Sequence, residues 1–227
     1  MKAVLLDAGG TLFAERLSRD EVYRETLAGL GRALPLAEVA RLRAELHDEL
    51  PESVGEHPRY SDGWFREFVA RLLRRLDLPQ DPETVRAGLA AHYLDPANFV
   101  VQGDVLPCLE ELAAAGLRLA VVSNWSAQLP NLLAGLRLAP WFELILASAS
   151  FGRSKPDPAI FREALRRLDL PASEVLHVGD HPVNDLAGAR RAGLSALWLR
   201  RDPHLAVTMD PGVTIDTLLD LPRMIIK

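Results

Sequence analysis

Near the start of the chain, a short unbroken hydrophobic run ends at a carboxylate. The residues of Ala3–Leu6 are all apolar, and Asp7 follows them directly. Such a run is typical of a strand buried on both faces of a parallel sheet. Gly9 and Gly10 predict a sharp turn that brings main-chain groups close to a ligand, since glycine has no Cβ. Thr11 offers a hydroxyl just beyond this turn, so we expect a ligand site at the end of the strand.

Between Leu17 and Pro96 the hydrophobic residues recur at helical spacing instead. Ser18 with Glu21 three positions on is a helix-start pattern, and no stretch in this region has the pattern of a strand. The segment therefore predicts four helices, which begin near Ser18, Pro35, Asp62 and Asp81.

Strands and helices alternate in the rest of the chain. The predicted strands lie at 117–122, 141–146, 175–178 and 196–199, with helices at 105–115, 127–136, 159–168 and 184–192. A short strand and helix are expected within 213–226. Alternation of this kind predicts an α/β fold with a doubly wound, right-handed parallel sheet. We predict a Rossmann-like core from residues 1–16 and 97–227, and an all-helical cap, residues 17–96, inserted after the first strand.

Composition narrows the classes of function. Of the 227 residues 48% are hydrophobic, enough for a packed core, and the net charge of −5 without a long basic stretch argues against nucleic-acid binding. Cys108 is the only cysteine, which excludes a disulfide framework and fits a cytoplasmic location. No secretory signal or membrane-length apolar run is visible. Nothing in the sequence indicates an oligomeric state.

Polar residues follow four elements of the predicted core: Asp7, Ser123 with Asn124, Lys155, and Asp180 with Asp185. The carboxyl ends of parallel strands lie at one edge of a sheet, so these side chains are expected to meet there. Grouped carboxylates are the ligands that Mg²⁺ prefers. The ion and a lysine would together neutralise a phosphoryl group, and an aspartate can attack it as a nucleophile.

Each of these residues also has a plain structural interpretation. Ser123 could cap the following helix, Lys155 could be a solvated loop charge, and the two acidic residues could serve in turns. Their joint occurrence in this order, each after a core element, favours a catalytic site.

The four motifs together resemble those of the haloacid dehalogenase-like (HAD) hydrolase superfamily, over nearly the whole chain. The resemblance lies in the segments Asp7–Leu12, Ser123–Asn124, Lys155–Pro156 and Gly179–Asp185. The helical insertion after the first motif is similar to the type 1 cap of that family.

This resemblance implies a set of roles and a cofactor. Asp7 would be the nucleophile, and Mg²⁺ would be held by Asp7, the main-chain carbonyl of Gly9, and Asp180, with Asp185 beside the ion or one step removed. The other implied catalytic residues are Thr11, Ser123, Asn124 and Lys155. The expected reaction is hydrolysis of a small phosphorylated metabolite through an aspartyl-phosphate.

One position departs from the family pattern. Phosphatases of the family carry an aspartate two residues after the nucleophile, as general acid for the leaving group, and here that residue is Gly9. The nucleophile and metal site remain, but the proton donor is missing.

At this position the chain looks most like a set of HAD-like proteins that carry glycine there, some of them weak phosphatases. Three other interpretations address this departure. A metal-independent 2-haloacid dehalogenase needs no such acid, but it lacks the acidic pair and has tyrosine where this chain has Phe161. A phosphonoacetaldehyde hydrolase is excluded, because it needs a cap lysine and none lies between Lys2 and Lys155. A binding protein that has lost turnover stays open, although four intact residues argue against it: Asp7, Lys155, Asp180 and Asp185.

Overall fold

The structure is a computed structural model that describes residues 1–201 and 213–226. In chain order the strands are β1 (Ala3–Leu6), β2 (Phe13–Glu15), β3 (Ser53–Val54), β4 (His57–Pro58), β5 (Phe99–Val101), β6 (Arg118–Ser123), β7 (Leu144–Ala147), β8 (Val175–Gly179), β9 (Ser195–Leu199) and β10 (Thr214–Ile215). The α-helices are α1 (Arg19–Gly29), α2 (Leu36–Glu49), α3 (Asp62–Arg75), α4 (Pro82–Leu94), α5 (Val105–Ala114), α6 (Leu129–Gly135), α7 (Ser148–Phe151), α8 (Pro158–Leu168), α9 (Gly188–Arg191) and α10 (Asp220–Ile225). The predicted core segment 97–227 includes residues 202–212 and 227, which lie outside the described part.

Six strands form one parallel sheet in the order β10-β9-β8-β1-β6-β7. The first strand lies in the middle, with Leu6 opposite Val121 of β6 on one side and Val178 of β8 on the other. The predicted doubly wound α/β fold is therefore confirmed. This strand order brings the residue after β1 between the ends of β6 and β8.

Both faces of the sheet are covered, which explains the unbroken apolar runs in its strands. Val4 and Leu6 pack into one hydrophobic cluster with α5 and α6, whereas Ala3 and Leu5 pack into a second cluster with α8. Side chains of successive strand residues point to opposite faces, so each residue of β1 is buried on one side or the other. A charged residue can follow such a strand only at the rim of the sheet.

The helices α1–α4 lie between β2 and β5 in the chain and share a hydrophobic cluster of their own. Ser18 and Glu21 make a capping box at the start of α1, where the Ser18 side chain accepts from the Glu21 N–H. Ser61 and Asp81 cap α3 and α4 in the same way, each accepting a main-chain N–H.

The prediction of an all-helical cap needs one correction. The strands β3 and β4 form an antiparallel hairpin in the segment 53–58, which the sequence analysis did not identify. Two-residue strands are too short to show the alternation of apolar and polar residues that marks a strand. The residue before the hairpin contacts the core, because Ser154 Oγ donates to the Glu52 carboxylate over 2.8 Å.

A second antiparallel pair, β2 with β5, joins the two ends of the inserted segment. Phe13 lies opposite Val101, and Glu15 opposite Phe99. The pair holds the start and end of the helical region beside each other at the rim of the sheet. The division of the chain at residues 17 and 96 stays a prediction. Across the described ranges, none of the helices combines the length and hydrophobicity needed to cross a bilayer.

Candidate active site

The predicted site residues meet at the carboxyl edge of the sheet. Asp7 comes directly after β1, Ser123 ends β6, and Asp180 comes directly after β8. Because β1 lies between β6 and β8, these residues face one cleft of about 430 Å³. Lys155 reaches the same cleft from a longer loop, since α7 separates it from β7.

Lys155 is the buried cation of the site. Its Nζ lies 2.6 Å from Asp7 Oδ1 and 2.5 Å from Asp185 Oδ1. Burial by itself would lower the pKa of Lys155, but the charges of Asp185 and Asp7 outweigh it and raise that pKa. Burial would likewise raise the pKa of Asp185, but Lys155 and His177 outweigh it and lower that pKa. The lysine is therefore charged whenever both carboxylates are.

Asn124 positions Lys155 through main-chain hydrogen bonds. The Asn124 amide donates to the Lys155 carbonyl over 2.8 Å, and its side-chain oxygen accepts from the Lys155 N–H over 2.7 Å. The amide satisfies both main-chain groups of one residue and so fixes the start of the lysine side chain. Asn124 also lines the cleft.

Three carboxylates converge beside the lysine. Asp7, Asp180 and Asp185 each offer an oxygen, and these atoms lie within 4.8 Å of one another. Burial raises the pKa of Asp180 to about 8, and the negative charges of Asp7 and Asp185 add to the effect. Crowded carboxylates of this kind are relieved either by a proton or by a cation.

Two glycines allow this close approach. A Cβ on Gly10 would lie 2.3 Å from Asp180 Oδ2, and the residue has a φ of +80°. A Cβ on Gly179 would lie 2.3 Å from Asp185 Cγ. A side chain at either position would push a carboxylate out of the cluster.

His177 is a contributor that the sequence analysis missed. It lies in β8 with no exposed surface, and its Nε2 lies 2.9 Å from Asp185 Oδ1. A carboxylate only accepts hydrogen bonds, so Nε2 carries the proton and donates. The other carboxylate oxygen accepts the His181 N–H over 3.0 Å, so Asp185 is held from three sides. A histidine inside an otherwise apolar strand was the available signal.

Trp125 packs against Gly9, the position where the family resemblance leads us to expect an acid. A Cβ on Gly9 would lie 2.9 Å from Cζ3 of the Trp125 indole, which is closer than a carbon pair can approach. Trp125 is 7% exposed and lines the cleft, and it packs edge-on against Phe13. The indole thus fills the space that a side chain at position 9 would need.

The remaining predicted residues differ in their access to the cleft. Ser123 and Gly9 line it, whereas Thr11 does not. Thr11 is fully buried, and its hydroxyl has no hydrogen-bond partner among the described residues. The catalytic role of Thr11 stays a prediction.

Comparison with known proteins identifies the family. A family model described as a haloacid dehalogenase-like hydrolase matches residues 1–193. The chain belongs to this hydrolase family. A glyceraldehyde 3-phosphate phosphatase of Methanopyrus kandleri is 33% identical over 211 residues, 90% of this chain and 86% of that protein. A phosphoserine phosphatase of Thermus thermophilus is 31% identical over 226 residues, 88% of this chain and 89% of that protein.

A solved structure in the same HAD-like family is named for a different reaction. It is a 2-haloacid dehalogenase from Pseudomonas syringae pv. Tomato, 30% identical, with a TM-score of 0.73 over 98% of this chain and 97% of that chain. Membership therefore makes this protein an HAD-like hydrolase, and the bond that it cleaves has to be argued from the cleft.

Proposed function

We propose that this HAD-like hydrolase is a Mg²⁺-dependent phosphatase that acts on small phosphorylated metabolites through an aspartyl-phosphate at Asp7. The observation that carries the proposal is the buried contact of Lys155 with Asp7, beside the carboxylates of Asp180 and Asp185. A dehalogenase needs no cation site, whereas this cluster of acidic oxygens favours one. The phosphatase names of the two relatives support the same choice.

The donor set fits a hard divalent cation. All three side chains offer oxygen, and the raised pKa of Asp180 reflects burial and mutual repulsion that a cation would relieve. Asp7, Asp180 and the Gly9 carbonyl would hold Mg²⁺. Asp185 already accepts three hydrogen bonds, which favours a supporting position beside the ion. When bound, Mg²⁺ would offset the negative charge of the phosphoryl oxygens and of the attacking carboxylate.

Asp7 carries the covalent step of the proposed reaction. Its carboxylate oxygen forms a bond to phosphorus while the bond to the leaving oxygen breaks, and the leaving group departs as an anion. Water then attacks the phosphorus of the aspartyl-phosphate, which releases phosphate and restores the carboxylate. Lys155 orients Asp7 and offsets charge throughout, Asn124 positions Lys155, and the Ser123 hydroxyl donates to a phosphoryl oxygen.

The absence of an acid at position 9 sets the preferred leaving group. An alkoxide is strongly basic and needs a proton, whereas a carboxylate, a phosphate or a phenolate leaves without one. We therefore expect acyl phosphates, phosphoanhydrides and aryl phosphates to react faster than alkyl esters. General acid catalysis is worth about 10²–10⁴-fold, which bounds the size of this difference.

Two cleft residues could supply the proton instead and remove the difference. Glu15 lines the cleft, but its carboxylate accepts from Arg19 over 2.9 Å. His181 also lines the cleft, and its Nδ1 accepts from the N–H groups of Val183 and Asn184. Similar rates on alkyl and aryl phosphates would show that one of them, or another group, acts as the acid.

One assay separates the functions that the sequence left open. Acetyl phosphate, phenyl phosphate and glycerol phosphate are incubated with the protein with Mg²⁺ or with EDTA, and 2-chloropropionate is followed for halide release. Phosphate release that EDTA abolishes supports the proposal. Halide release that EDTA does not affect would make the protein a dehalogenase, and no turnover of any substrate would favour a binding protein.

A further inference from the structure

A cavity between the cap and the core is not used by the proposed chemistry at Asp7. Its volume is about 150 Å³, and most of its wall is apolar. The aromatic side chains from the cap that line it are Tyr23, Tyr60, Trp64, Phe65, Phe68 and Tyr93.

This cavity lies next to the catalytic cleft. Arg19, Tyr60, Asn124 and Trp125 line both spaces. Arg19 lies over the Trp125 ring, 5.4 Å from its centroid, and this pair stands where cap and core meet. A molecule with its phosphoryl group at Asp7 would therefore have the cavity beside it.

The size and the wall of the cavity specify what it can hold. An apolar protein cavity of about 150 Å³ is large enough for one benzene ring. Aromatic walls favour an aromatic guest, because rings pack edge-to-face or offset at short centroid distances. The apolar majority of the wall favours such a ring over a sugar, whose several hydroxyls would each need a partner.

Polar side chains complete the wall. Arg43, His47 and Asp62 line the cavity from the cap, and Ser126 and Gln128 line it from the core. A polar substituent on a bound ring would find hydrogen-bond partners among them. The wall is thus largely apolar with several hydrogen-bonding positions.

We propose that this cavity binds the leaving group of the substrate, and that this group is a single aromatic ring with a polar substituent. The inference rests on the proposed phosphatase function and names its substrate class, an aryl phosphate. It agrees with an independent feature of the cleft. A phenolate needs little protonation as it leaves, so an aryl substrate tolerates the absence of an acid at Gly9.

Non-hydrolysable analogues test binding apart from leaving-group chemistry. Benzylphosphonate and methylphosphonate are compared as inhibitors of acetyl phosphate hydrolysis by the wild-type protein with Mg²⁺. We expect benzylphosphonate to bind at least about tenfold more tightly, because binding removes the apolar surface of its ring from water. Equal inhibition by the two phosphonates would overturn the inference.

A cavity-filling variant locates the effect. Ala90 lines the cavity from α4, and Ala87 lies on the exposed side of the same helix. Ala90→Trp should lower kcat/KM for phenyl phosphate about tenfold more than kcat/KM for acetyl phosphate, whereas Ala87→Trp should change neither. An Ala90→Trp protein that keeps the wild-type ratio between the two substrates would place the ring elsewhere.

These outcomes separate the inference from the function beneath it. If acetyl phosphate is hydrolysed but benzylphosphonate binds no more tightly than methylphosphonate, the phosphatase function is supported. The inference that the cavity binds an aryl leaving group is then rejected. If no phosphate ester or anhydride is hydrolysed, the phosphatase function falls. In that case the shift in melting temperature that each phosphonate causes still tests whether the cavity binds a ring. Equal shifts with the two phosphonates would reject ring binding as well.

Discussion

The indole ring of Trp125 stands where a side chain on residue 9 would have to lie. Its Cζ3 is 2.9 Å from the position that a Cβ on Gly9 would take. The two residues are far apart in the sequence, yet the choice at one position constrains the other. Placing an acid at position 9 therefore requires the indole to shift or to be replaced.

The first prediction follows from this pair. Gly9→Asp alone should give little gain on glycerol phosphate, because the new side chain collides with the indole. Gly9→Asp with Trp125→Ala should raise kcat/KM for glycerol phosphate by about 10²-fold relative to Trp125→Ala, the value of a general acid. The ratio of alkyl to aryl phosphate turnover is the measurement. A full gain from Gly9→Asp alone would mean that the indole is not an obstacle.

The second prediction concerns the nucleophile. Asp7→Asn should lower phosphate release by about 10³-fold or more, since an amide does not attack phosphorus, while circular dichroism shows an intact fold. Asp48→Asn changes an exposed carboxylate of α2 and should leave the rate unchanged. Activity in a folded Asp7→Asn protein, with mass spectrometry excluding deamidation, would contradict the assignment.

The third prediction concerns pH and metal. In the folded chain the pKa of Asp180 is raised to about 8, well above its ordinary value of 3.8. The contribution of the Asp180 carboxyl group to the free energy of unfolding is therefore fully present below about pH 4, and it is lost as the pH rises through 8. In EDTA, Asp180→Asn should be more stable than the wild type at pH 8, because the substitution removes this loss.

Mg²⁺ should act in the opposite direction. It should raise the melting temperature of the wild type more at pH 8 than at pH 5, because at pH 5 a proton competes for Asp180. Asp180→Asn should lose most of this response. An equal Mg²⁺ shift in wild type and variant at pH 8 would show that the ion binds away from Asp180.

The fourth prediction concerns His177. Its contact with Asp185 makes it a positioning residue, so His177→Ala should lower kcat about 10–100-fold with a smaller change in KM. His177→Gln, which can still donate to the carboxylate, should recover part of the loss. The measurement is a kcat and KM pair for each variant, at a temperature where both are folded. A change confined to melting temperature would leave His177 with a role in packing alone.

Much of this fold follows from local sequence. Ala3–Leu6 is apolar at every position because both faces of a central parallel strand are buried, and Ser18 with Glu21 forms the helix cap that its spacing predicts. The polar residues after β1, β6 and β8 could be grouped from the sequence, since parallel strands end at one edge.

Other features depend on contacts between residues far apart in the chain. The hairpin β3–β4 and the pair β2–β5 involve strands of two or three residues, too short for a periodic signal. The hydrogen bonds of Asn124 to Lys155 join positions 31 residues apart, and no local pattern reports them. The same holds for His177. In the sequence it is a single polar residue within a strand, and only the structure shows its contact with Asp185.

The sequence by itself determined which chemical groups are present. It also determined that position 9 is a glycine and cannot supply a general acid. Only the tertiary structure decided what fills that space and what the cap presents to the cleft. The sequence shows that position 9 has no side chain, but the residue that lies beside it depends on the tertiary packing of distant segments. Trp125 beside Gly9, and the aromatic cavity beyond it, are products of that packing.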